Sequence, residues 1–170
     1  MFGISGIRGM ALIAIAAILT LSLGAETAAI FTSPVYGLDE IGRSQLFYCI
    51  GLYLDLSRTG VLMLAAFLGG LKLAVAALCG LHLVQRLLVS GNLDSAEMFK
   101  GGLVALLAVC LALLGPALWL GIDALAYEIG GQAALAVLAL FLLAAERKNA
   151  KVKVDLMMLP ASAGAYSPWR

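Results

Sequence analysis

The chain is poor in the side chains from which most active sites are built. It has one histidine, three cysteines and four prolines in 170 residues, and only 12% of its residues are charged. A single histidine, His82, excludes a haem held by two imidazoles within one chain. A zinc site would need three or four ligands, which the sequence does not gather. The cysteines Cys49, Cys79 and Cys110 form no C-x-x-C pattern, so dithiol redox catalysis is not expected and all three read as small buried hydrophobes. Gly-rich phosphate loops and nucleophile motifs are missing, and so is the acid–base pair an enzyme would need. A net charge of +1 without a concentrated basic face gives no footprint for nucleic acid. The sequence therefore predicts a protein that is not an enzyme and holds no cofactor.

What the chain has in abundance is uninterrupted apolar sequence. Hydrophobic residues make up 63% of it and the mean hydropathy is +1.04. Four apolar stretches, near residues 9–31, 60–89, 101–122 and 129–145, carry hardly a charge. Each approaches or exceeds the ~20 helical residues that cross ~30 Å of hydrocarbon, where a lone segment must satisfy its own backbone. The expected fold is all-α: an integral membrane four-helix up-down bundle in residues 1–155, followed by a tail in 156–170. The run from Met10 to Leu23 after Arg8 also resembles a secretory signal. Its apolar character continues through Ala28, Ala29, Ile30 and Phe31, which favours an uncleaved span.

Charge placement predicts orientation. With the N-terminus in the cytoplasm, Arg8, Arg86, Lys100, Arg147, Lys148, Lys151, Lys153 and Arg170 fall inside, and only Arg43 and Arg58 fall outside. Eight against two is a strong positive-inside bias, so both termini are expected to be cytoplasmic, in a bacterial inner membrane. Arg147, Lys148, Lys151 and Lys153 form a basic collar after the fourth span, and each is worth ~1 kcal/mol against anionic lipid.

The longest connection, residues 32–59, opens with Ser33-Pro34 and Gly37 and then crowds apolar residues into a stretch too short to cross. It predicts an extra interfacial helix in the first outer loop. Tyr48 and Tyr53 suit headgroup depth, and Asp55 with Arg58 at i, i+3 could pair on one face. The segment could close the bundle, act as a lid or dock a partner. The other two links read as short turns, at Ser90–Ser95 and around Asp123–Gly131, the latter flanked by Trp119 and Tyr127 as interface anchors.

Polar chemistry concentrates on the second span. Lys72, Cys79, His82 and Arg86 project within an arc of roughly 80° at ~100° per residue, which makes a polar stripe from mid-membrane to the cytoplasmic edge. A lysine near the bilayer centre costs at least ~2.5–3.5 kcal/mol on insertion scales unless it finds a partner. Glu26 is the nearest acid by depth, offset about 10 Å along the axis at ~1.5 Å per residue. A second candidate is the carbonyl of Ala112, freed because Pro116 has no N–H to donate. Small residues at three and four spacing, Ala65/Gly69, Ala66/Gly70, Ala76/Gly80 and Gly101/Ala105/Ala108/Ala112, let helices approach closely within the chain or between subunits.

The function these features predict is an accessory or structural subunit of a larger inner-membrane complex, in energy transduction for example. Its partners would be other membrane subunits, with Tyr48 and Tyr53 outside and the tail residues Tyr166 and Trp169 inside as candidate docking residues. The alternative is a small transporter or channel component using Lys72, Glu26 and His82.

Overall fold

The computed structural model describes residues 4–88 and 93–158, with side chains for 9–88 and 96–146. Among the described residues the structure is helical throughout, with no strand. The helices are α1 (Ile4–Thr32), α2 (Ile41–Tyr53), α3 (Arg58–Leu88), α4 (Leu93–Trp119) and α5 (Asp123–Met158). Four of them contain stretches long and apolar enough to cross a membrane: Gly9–Thr32, Arg58–Leu88, Ala96–Trp119 and Asp123–Glu146. The chain is thus compatible with a multi-pass membrane protein.

Each long helix buries one stripe at helical spacing. On α1 it is Leu12, Ile15, Leu19, Leu23, Glu26 and Ile30; on α3 it is Val61, Ala65, Gly69, Lys72, Val75, Cys79 and His82. The outward stripes are apolar as well, with Met63, Phe67, Leu111, Leu118 and Phe141 largely exposed, as expected for helices whose surroundings are hydrocarbon. Hydroxyls inside α1 are absorbed locally: Thr20 donates to the Ala16 carbonyl at 2.7 Å and Thr27 to that of Leu23 at 2.8 Å.

The small-residue pairs divide between inside and outside. Those at Ala65/Gly69 and Ala76/Gly80 bring α3 onto α1: a Cβ on Gly69 would sit 3.0 Å from Ile30, and one on Gly80 would sit 3.4 Å from Thr20. Because Gly69 meets Ile30 while Gly80 meets Thr20, α1 and α3 run in opposite senses. On α4, Gly101, Ala108 and Ala112 are exposed together with Gly115, so that face is turned away from the core.

Helix ends are set by residues in the left-handed region. At Gly121 (φ 66) the Ile122 N–H bonds back to the Ala117 carbonyl at 3.1 Å, and at Asp55 (φ 52) the Leu56 N–H bonds back to that of Gly51 at 2.8 Å. Two sequence expectations change here. The link predicted at Asp123–Gly131 is only Leu120–Ile122, because Gly121 alone makes the turn and Asp123 then starts α5, where an acidic side chain favours the helix N-terminus. Gly130 and Gly131 are helical. Asp55 and Arg58 do not share a helix face, since Asp55 sits in the break between α2 and α3. In addition, α5 continues past residue 145 to Met158, through the basic collar. The side chains of Arg147, Lys148, Lys151 and Lys153, and the tail residues Tyr166 and Trp169, lie outside what the structure describes.

The tightest approach involves α2. A Cβ on Gly51 would lie 2.5 Å from Val61 Cγ2, so Gly51→Ala is expected to destabilise the protein by ~1–3 kcal/mol through overpacking. Thermal unfolding in detergent should show a lowered midpoint, and adding Val61→Ala should recover much of it.

Candidate functional site: a buried ion cluster centred on Glu26

Glu26 lies less than two turns from the end of α1 and is 8% exposed. Its carboxylate accepts hydrogen bonds from two other helices and has a cation of a third close by. From α3, Lys72 Nζ donates to Oε1 at 2.5 Å; from α5, Gln132 Nε2 donates to Oε2 at 2.9 Å. From α2, Arg43 Nη2 stands 3.7 Å from Oε1 and 3.8 Å from Glu128 Oε1, while its Nε pairs with Glu40 at 3.2 Å. Lys72 is 7% exposed and Gln132 5%, so the hub is buried, while Glu128 at its edge is exposed. A buried charge is tolerated only when paired and hydrogen-bonded, and both conditions hold for Glu26 and Lys72.

The Ala112 carbonyl is not the partner of Lys72. Pro116 does lie inside α4, but Ala112 is on the exposed side of that helix, in the wall of a groove. The 10 Å offset estimated along the helix axes is closed by the lysine and glutamate side chains, whose charged ends meet directly.

At the other end of α3, Arg86 makes a two-pronged pair with Glu146 of α5, Nη1 to Oε1 at 3.2 Å and Nη2 to Oε2 at 2.5 Å. Fourteen residues separate Lys72 from Arg86 on α3, and fourteen separate Gln132 from Glu146 on α5. At ~1.5 Å per residue the two polar layers are therefore about 21 Å apart. Leu19, Leu23, Val75, Ala76, Leu106, Ala136 and Ala139 fill the space between them. Cys79 and His82 lie in that space too: Cys79 is enclosed in the core, and the His82 ring stacks on Phe99 with centroids 4.2 Å apart and planes 6° from parallel. The polar stripe read from sequence is thus one face of α3 whose members serve different neighbours. Cys49, Cys79 and Cys110 are free thiols, and no cluster of three metal-ligating side chains occurs among the described residues.

Arg43, Gln132, Glu128 and Glu146 were not singled out from sequence as members of this chemistry. Gln132 carried a signal: it is the one polar side chain in the fourth apolar run. Of the candidate docking residues, Tyr48 is half-exposed and Tyr53 almost fully so. Near them α2, α3 and α4 enclose an apolar groove of about 720 Å³, lined among others by Tyr53, Phe67, Ala108, Ala112, Pro116 and Trp119.

Comparison of the chain with protein families, with curated proteins and with solved structures found no match.

Proposed function

We propose that the chain is a non-catalytic accessory subunit of a larger inner-membrane complex, and that its buried ions are ties between its own helices. The observation that carries this reading is the engagement of both Glu26 oxygens, one by Lys72 of α3 and the other by Gln132 of α5, with Arg43 of α2 standing 3.7 Å away. Such cross-links suit a scaffold, since removing one partner strands a charge. The outward small-residue face of α4 and the apolar groove beside it offer surface on which a partner's helix could pack closely.

In the arrangement that fits the charge bias, the four long helices alternate up and down. Both termini lie on the cytoplasmic side, the basic collar meets anionic lipid, and α2 lies in the outer interface. Exposed Tyr53, Trp119 and Tyr127 then stand at one level as an aromatic belt. A transport role has one observation in its favour, a small cavity beside Lys72. The space of about 21 Å between the charged ends is filled mainly by apolar side chains, with Cys79 and His82 the polar members of α3 within it, and this argues against a through-path for a hydrated ion.

Extraction in mild detergent, followed by size-exclusion chromatography with mass spectrometry of the peak, tests the subunit reading. The expected result is migration in a large particle with defined partners. A peak containing this chain alone would overturn it.

A further inference from the structure

The segment between α1 and α3 covers the Glu26–Lys72 pair. Beneath it is a cavity of about 30 Å³, walled by Arg43, Leu46 and Phe47 from α2, by Tyr36 from the preceding turn, and by Glu26 and Lys72 among others from the long helices. At ~10–15 Å³ per water, this volume suits one or two molecules. The lining also has donors to offer. The Lys72 ammonium carries three N–H groups and gives one to Glu26, and the Arg43 guanidinium approaches Glu26 and Glu128 only at 3.7 and 3.8 Å, beyond hydrogen-bond length.

The cover is shallowly seated apart from Leu46 and the close Gly51–Val61 contact near its C-terminal end. Only Leu46 and Gly51 of α2 are buried, while Ile41, Leu52 and Tyr53 are exposed. Among the described residues its ionic fastening across the gap to α1 and α5 is Arg43 alone, since Glu40 belongs to its own N-cap. Both flanks are turns with left-handed backbone, at Tyr36 (φ 53) and Gly37 (φ 78) on one side and Asp55 (φ 52) on the other. Such element-terminal residues are where a rigid helix changes direction.

We propose that α2 is a hinged lid, latched by Arg43, over an internal hydration site at Lys72 and Glu26. When the latch releases, water and small polar solutes reach the pair from the α2 side. Lys72–Glu26–Gln132 is the permanent tie, and Arg43 is the releasable one. The lid rests on the membrane arrangement above only for the side from which access comes.

The test is thiol accessibility in the full chain, with Cys49→Ser removing the half-buried native thiol of α2. Ala65→Cys, at a buried position in the cavity wall, is the reporter, and a charged methanethiosulfonate added to intact cells is the probe. The reporter should react slowly with Arg43 present and about tenfold faster in Arg43→Gln, the scale of losing one partly buried charge contact. Glu128→Gln, which loosens the latch while leaving its Glu26 contact, should shift the rate the same way by less. Cys110, enclosed in the core, should stay unreacted throughout. An unchanged rate in both variants overturns the lid, and so does labelling of Cys110 in step with the reporter, which signals global opening. Tyr53→Cys, highly exposed on α2, reports sidedness. If it fails to react in intact cells, the proposed orientation is wrong, and the same comparison in inverted vesicles decides the lid.

Discussion

Replacing Lys72 with methionine is expected to deplete the protein from the membrane and to lower its stability in detergent by ~3–5 kcal/mol, the cost of leaving a buried charge without its main partner. Glu26 would retain Gln132 at 2.9 Å and a distant Arg43, neither of which replaces an ammonium ion in direct contact. Methionine fills nearly the same volume, so packing is not the cause of the loss. Membrane abundance by immunoblot and the thermal midpoint of the purified chain read the effect. A transport lysine would behave differently: solute flux would fall while abundance and midpoint held.

Truncating Phe99 to alanine is expected to cost a further ~3–5 kcal/mol through an unrelated mechanism. Phe99 heads the largest fully buried side chains, fills the interior where α4 meets α3, and provides the face on which His82 stacks. Its loss opens a cavity in the core and strips a buried imidazole of its ring contact. Thermal unfolding in detergent should show a large drop for Phe99→Ala and a smaller one for Phe99→Leu, which keeps much of the volume. Equal stability of the two variants would mean that packing at this point contributes little.

The long helices were legible in sequence because a span needs only length and low polarity, both of which a linear reading measures. Their ends were less so. Asp123, Glu128 and the Gly130-Gly131 pair look like loop chemistry, yet one left-handed residue, Gly121, suffices to reverse the chain and lets all of them enter α5. Within the ion cluster, Lys72 and Glu26 stood out as charges inside apolar runs. Arg43 reads as an outer-loop charge and Glu146 as no more than a neighbour of the basic collar, because nothing in their local sequence says that they fold back onto α1 and α3. Gln132 meets Glu26 across 106 residues, a pairing no helical period encodes. The small-residue pairs were visible as a set, but only the packing decides that Gly69 and Gly80 face α1 while Ala108, Ala112 and Gly115 face outward.

The measurement that tests the central claim most directly is a double-mutant cycle across the Glu26–Lys72 pair, with midpoint and membrane abundance recorded for Glu26→Gln, Lys72→Met and the two combined. Each single change leaves one charge stranded, whereas the double change removes both. The tie account predicts a coupling energy of about 2 kcal/mol or more, with the double variant at least as stable as Lys72→Met alone. Losses that simply add, or variants that keep full abundance and lose only solute flux, would contradict it.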